Sequence, residues 1–185
     1  IVTTREGGAS AGARASFNLA AHVGDDPAAV ADNRRRLREA LSLPEEPLWL
    51  RQVHGTAVAV HDGTAVREPE ADAAVTFEPG PVLAVLTADC LPVVLASRDG
   101  RRLGVAHAGW RGLAAGVLES TAEALGAPGG DLVAWLGPAI GAAAFEVGDE
   151  VRAAFVDADP AASTAFAANA RGRWQADLYA LARRR

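Results

Sequence analysis

Three stretches decide the fold class: Pro92-Val93-Val94-Leu95-Ala96, then Leu103-Gly104-Val105-Ala106 after a polar break, then Leu113, Val117, Thr121 and Leu125 at four-residue steps. The first two are short and almost wholly apolar, the pattern of strands covered on both faces. The third is the spacing of one helical face and predicts a helix from Gly112 to Leu125. Upstream, Leu48-Trp49-Leu50, Ala57 to Val60, Ala73 to Phe77 and Val82 to Leu86 read as further strands, punctuated by Gly, Pro and Asp. Downstream, Leu132 to Leu136 reads as another buried strand, with helices over Gly148 to Val156 and Ala176 to Arg185. Near the start, Asp26 is the N-cap and Pro27 the first turn of a helix running to Leu41. Its Val30, Leu37 and Leu41 share one face, while Arg34, Arg35 and Arg38 form a solvated one. No repeat, low-complexity tract or linker interrupts the chain. The prediction is a mixed α/β domain, α+β-like in its mixed sheet, as a single domain over 1–185.

The 185 residues are half hydrophobic and 22% charged, enough for one well-buried core. A net charge of −5, with arginines concentrated only at Arg34-Arg35-Arg36 and Arg183-Arg184-Arg185, argues against a nucleic-acid partner. No apolar run reaches the roughly 18 to 20 residues of a membrane span, and no signal peptide opens the chain. With one cysteine there is no intrachain disulfide, so the expected setting is cytoplasmic. The chain starts at Ile1, lacks methionine and ends at Arg185 inside a predicted helix, so both ends read as incomplete.

That cysteine, Cys90, lies in Thr87-Ala88-Asp89-Cys90-Leu91-Pro92, between Gln52-Val53-His54-Gly55 and Ala106-His107-Ala108-Gly109-Trp110-Arg111-Gly112. A thiolate and two neutral imidazoles are donors that zinc prefers, and three protein ligands leave a place for a reactant. The intervals match no finger or knuckle, so His54, Cys90 and His107 must meet through tertiary folding. All three fall at predicted strand ends, where side chains can converge. The competing reading keeps Cys90 as a small buried hydrophobe and each histidine as a satisfied core residue.

These strings, together with Thr4-Arg5-Glu6-Gly7-Gly8, Ser16-Phe17-Asn18-Leu19, His22-Val23-Gly24-Asp25-Asp26 and Leu136-Gly137-Pro138-Ala139-Ile140-Gly141, closely resemble the YfiH-like family. That family has long been labelled multicopper polyphenol oxidase or laccase domain, and was later assigned as purine nucleoside phosphorylases. The resemblance implies an α/β/β/α fold of the kind compared with cysteine hydrolases, and zinc held at His54, Cys90 and His107. It also implies phosphorolysis of adenosine, inosine and methylthioadenosine, adenosine deamination, and a short C-terminal segment with paired arginines beyond Arg185. Its partners are then small molecules, nucleosides and phosphate, with no obligate protein partner evident. Where many members carry cysteines and an aromatic residue, this chain has Ala142-Ala143-Ala144-Phe145.

For phosphorolysis, Arg51 and Arg111 flank the presumed ligands and are the anion-binding candidates, since guanidinium grips phosphate in a forked geometry. Otherwise they are salt-bridged or exposed. Asp89 shuttles protons, orients a ligand or caps a turn. Trp110 stacks a purine or plugs the core, and the amides opening the helix at Gly112 face an anion or solvent. The His-x-Glu proton shuttle of familiar zinc deaminases is absent. Next to Asp62-Gly63, His61 reads as exposed, and His22 as a structural hydrogen-bonding group.

Three rival functions follow. Polyphenol oxidation would need a blue-copper set plus a trinuclear cluster, and four histidines are too few, although copper can occupy the same donors. A cysteine hydrolase would use Cys90 as nucleophile and His107 as base. A non-catalytic metal-binding factor affecting cell-wall precursor fidelity, a role suggested for bacterial relatives, would show no nucleoside turnover.

Overall fold

Asp26 caps the first helix as its position dictates: its Oδ1 accepts from the Ala28 N–H at 2.9 Å, and Pro27 opens α1 (Pro27–Ala40). The computed structural model describes residues 1–63 and 68–185, in two compact units, Ile1–Pro47 and Leu48–Arg185.

In the first unit α1 is held by a polar residue that its apolar spacing does not reveal. Asn33 is wholly buried beside Val30, while Leu37 is half-buried. Its Nδ2 donates to Ser10 Oγ and the Asn18 carbonyl at 2.9 and 2.8 Å, and its Oδ1 accepts from the Ala9 N–H at 2.7 Å. These bonds let a helix with little apolar surface hold the preceding loop. Arg35 pairs with Asp32 and Arg38 with Glu46 on the exposed side, as a solvated face should, whereas Arg34 is half-buried and its Nε donates to the Leu19 carbonyl at 2.9 Å.

The second unit is built on a mixed sheet. Its strands are β1 (Val58–Val60), β2 (Ala73–Thr76), β3 (Leu91–Ser97), β4 (Leu103–Ala108) and β5 (Leu132–Leu136), in the order β1-β2-β4-β3-β5. The β1–β2 pair is parallel and the others antiparallel. Alternation along each strand divides the apolar residues between two faces. Ala73 and Val75, Leu91, Val93 and Leu95, and Ala106 and Ala108 join one core with Leu113, Val117 and Leu125. Ala74 and Val105 face a smaller cluster with Leu48, Leu50 and Ala71. Covering both faces is what the apolar runs required. Each fully buried leucine contributes roughly 2 kcal/mol.

The helix expected over Gly112 to Leu125 is two helices, α2 (Trp110–Ala115) and α3 (Val117–Leu125). Gly116 separates them at φ +103°, a left-handed conformation that glycine adopts without a Cβ penalty. Two expected strands, over residues 48–50 and 82–86, are extended segments that share an isolated Leu48–Leu83 bridge. In place of a ladder, the Gln52 amide both donates to the Leu86 carbonyl at 2.8 Å and accepts from its N–H at 2.7 Å. The strand expected to be buried, β5, is an edge strand paired to β3, with Val133 and Trp135 about half exposed. Three very short strands that carry no periodic signal, β6 (Glu146–Val147), β7 (Phe166–Ala168) and β8 (Trp174–Ala176), form a second antiparallel sheet. It is accompanied by α4 (Asp149–Val156) and by α5 (Leu178–Arg184), whose N-cap is Asp177. Among the described residues no helix is long and apolar enough to cross a membrane.

Candidate functional site

Strand register fixes His107. Ala73 lies opposite Ala106, and one step further the His107 N–H donates to the Asp72 carbonyl at 2.7 Å. Since Ala106 and Ala108 point into the helix-side core, His107 points to the other face, where Asp72 is its cross-strand neighbour. The residue is 3% exposed, and its Nδ1 donates to Asp72 Oδ1 at 2.9 Å. A carboxylate only accepts, so this bond places the proton on Nδ1 and leaves the Nε2 lone pair open. Burial holds the imidazole below its ordinary pKa against the pull of Asp72, which favours the neutral ring.

Cys90 immediately precedes β3, the strand between β4 and β5. Its half-buried thiol is pushed above its ordinary pKa by burial, with the negative charges of Asp89 and Asp72 adding to the effect. His54 arrives from the other direction on the exposed loop after Gln52. Its backbone is left-handed at φ +61°, and its N–H donates to Asp72 Oδ1 at 2.9 Å. The flanking Val53 and Gly55 N–H groups donate to Oδ2 at 3.1 and 2.7 Å. Burial opposes the ionisation of Asp72, but the bonds from His107, Gly55, Val53 and His54 outweigh it and hold its pKa below the usual carboxylate value.

The fold thus brings the three predicted residues together. Cys90 Sγ is 4.0 Å from His54 Nε2, and the two imidazoles meet edge to face with centroids 4.8 Å apart. One donor atom from each of the three residues lies within 4.8 Å of the others. Donors around a tetrahedral zinc stand roughly 3.3 to 3.8 Å apart, given metal–ligand bonds of about 2.0 to 2.3 Å, so modest side-chain movement brings these to a common centre. The donor set fits a borderline-soft divalent ion with a position left over. Gly109 makes the grouping possible, because a Cβ there would stand 2.8 Å from Cys90 Sγ and 3.0 Å from His54 Cδ2. At Gly112 a Cβ would meet the Gly55 carbonyl oxygen at 2.8 Å, so α2 can approach the His54 loop only with glycine there.

The other candidates are placed differently. Arg51 pairs with Glu70 at 2.5 Å on the surface, and the exposed Arg111 lies over the Trp110 ring at 4.3 Å. Neither interaction involves His54, Cys90 or His107. Trp110 packs against the helix-side core, and exposed Asp89 accepts the Ile140 N–H on its backbone carbonyl at 2.9 Å. Contrary to expectation His61 is buried, at 4% exposure: Val60 points outward, and alternation along β1 turns the next side chain inward. His22 is exposed. Sequence reasoning missed Asp72. Its signal was available, since an acid between Ala71 and Ala73 at the head of a buried strand must find partners inside the fold.

Known proteins resemble this chain along its whole length. The family model described as multi-copper polyphenol oxidoreductase laccase matches residues 1–185. A Pseudomonas aeruginosa protein named purine nucleoside phosphorylase PA4543 is 55% identical over 98% of this chain and 74% of its own length. Purine nucleoside phosphorylase YfiH of Escherichia coli is 50% identical over 99% of this chain and 75% of its own. Among solved structures, Neisseria meningitidis protein NMB0706 superposes with a TM-score of 0.93 at 48% identity, over 98% of this chain and 74% of that one. A match along the whole chain, at identities far above those that indicate fold alone, means that the chain belongs to the multi-copper polyphenol oxidoreductase laccase family, among its YfiH-like proteins.

Proposed function

We propose that this chain is a zinc-dependent purine nucleoside phosphorylase acting on adenosine, inosine and methylthioadenosine, with accompanying adenosine deaminase activity. In this reading residues 1–185 belong to one YfiH-like domain working in the cytoplasm. The observation that carries it is the convergence of Cys90, His54 and His107 in a chain about half identical to proteins named purine nucleoside phosphorylases.

His54 and His107 through Nε2, and Cys90 through Sγ, would hold the ion. When bound, it supplies a Lewis-acid centre beside the substrate. The chain's own residues do the rest. Asp72 keeps the His107 proton on Nδ1, so that Nε2 stays a donor of electrons. Arg111 offers its exposed guanidinium to phosphate, a role in which Arg51 must first leave Glu70. Asp89, exposed and next to Cys90 in the chain, is the residue assigned in this reading to orient a ligand or take a proton. Phosphorolysis then breaks the bond between base nitrogen and ribose, leaving the electron pair on the nitrogen, joins a phosphate oxygen to the sugar carbon, and transfers the proton that phosphate loses to the departing base.

The surroundings of Cys90 support a ligand over a metal-free nucleophile. A nucleophilic cysteine needs its thiol pKa lowered, whereas burial, Asp89 and Asp72 all raise it here. A bound cation reverses that balance. The test is metal analysis of purified protein joined to product identification from adenosine. One zinc per chain, adenine and ribose 1-phosphate with phosphate, and inosine without it support the reading. Metal-free protein yielding neither product defeats it.

A further inference from the structure

Asp72 is wholly buried, and both of its oxygens are in use. Oδ1 accepts from the His107 ring and the His54 backbone, each at 2.9 Å. Oδ2 accepts from Val53 and Gly55 at 3.1 and 2.7 Å. These four partners are N–H donors, and the neutral imidazole is one of them. The carboxylate therefore grips one histidine by its side chain and the other by its main chain, in the left-handed turn that aims it.

We propose that Asp72 is the positioning residue that sets the reach between His54 and His107 and balances the charge of the ion they hold. The proposal rests on the metal reading given above. A Cys90 thiolate and the Asp72 carboxylate together match the two positive charges of a divalent cation. An amide cannot replace the carboxylate in both tasks. With its oxygen toward His107, its NH2 group faces the Val53 and Gly55 donors; turned round, it presents donors to His107 Nδ1 and the His54 N–H.

Zinc titration with a competing chelator tests this on the whole chain. Asp72→Asn is expected to weaken zinc binding by about 10- to 100-fold, as loss of a ligand-orienting partner does. Leu125→Ala, in the helix-side core, should lower the melting temperature and keep zinc affinity within about twofold. Equal affinity in wild type and Asp72→Asn overturns the positioning role and leaves the metal reading intact. An equal loss in Leu125→Ala also overturns it, by reducing the effect to general destabilisation. Wild-type protein that takes up no zinc removes the metal reading itself. Imidazole nitrogen NMR of the metal-free wild type needs no variant. His107 protonated on Nδ1, with Nε2 shifting when zinc is added, supports the proposal; a proton on Nε2 overturns it.

Discussion

His107 and His54 reach the same point by opposite means. His107 is part of the sheet: register sets its face, burial lowers its pKa and a strand on each side of β4 holds it in place. His54 is an exposed residue on a loop, shaped by three N–H groups directed at one carboxylate. One histidine is therefore a product of the core, and the other depends on a single buried charge.

Removing each ring should separate the two most strongly. His107→Ala empties a buried site and leaves Asp72 without its side-chain partner, so zinc is lost and stability falls by about 3 kcal/mol. His54→Ala loses zinc as well but costs under about 1 kcal/mol, as truncations at exposed positions generally do. Zinc content and denaturant unfolding of the two variants measure the contrast. Gly109→Ala should act on the loop side and on Cys90 together. Its Cβ forces the thiol and the His54 ring apart, at about 1 to 3 kcal/mol, read as weaker zinc binding.

Protonation sharpens the comparison in metal-free protein. His107 has its folded pKa below the ordinary value of 6.5, so as pH falls through that value the unfolded chain binds the proton first and stability drops. The low pKa of Asp72 continues the loss below 3.8 in the same direction. Cys90, raised above 9.0, makes the unfolded chain lose its proton first in alkali, so stability also falls there. Unfolding measured from pH 8 to 5 should slope downward in wild type and flatten in His107→Gln. The smallest effect belongs to the arginines. Arg111→Ala should raise the phosphate concentration needed for half-maximal rate by roughly tenfold, the scale of one lost charged hydrogen bond, and Arg51→Ala by less because Glu70 already holds it.

The sheet-side half was legible in the sequence because it obeys periodicity. The runs around β3 and β4 predicted strands, and the ligand trio was visible as residue types suited to one metal. The loop-side half was not, because side chains shape it. Gln52 replaces a strand ladder with its amide, and Asp72 gathers a turn with its carboxylate, so neither leaves an apolar pattern. The same limit hid Asn33, and it explains why the apolar run of β5 read as buried: periodicity reports apolar character without showing whether a neighbouring strand exists. Likewise His61 carried a turn signal that pointed outward, while strand alternation turned it in.

The most direct measurement is zinc stoichiometry and phosphorolysis in wild type and Cys90→Ala, read on the same preparations. The account predicts one zinc per wild-type chain, with both the metal and ribose 1-phosphate formation lost in Cys90→Ala while the fold persists. Full phosphorolysis by a zinc-free Cys90→Ala protein would contradict it.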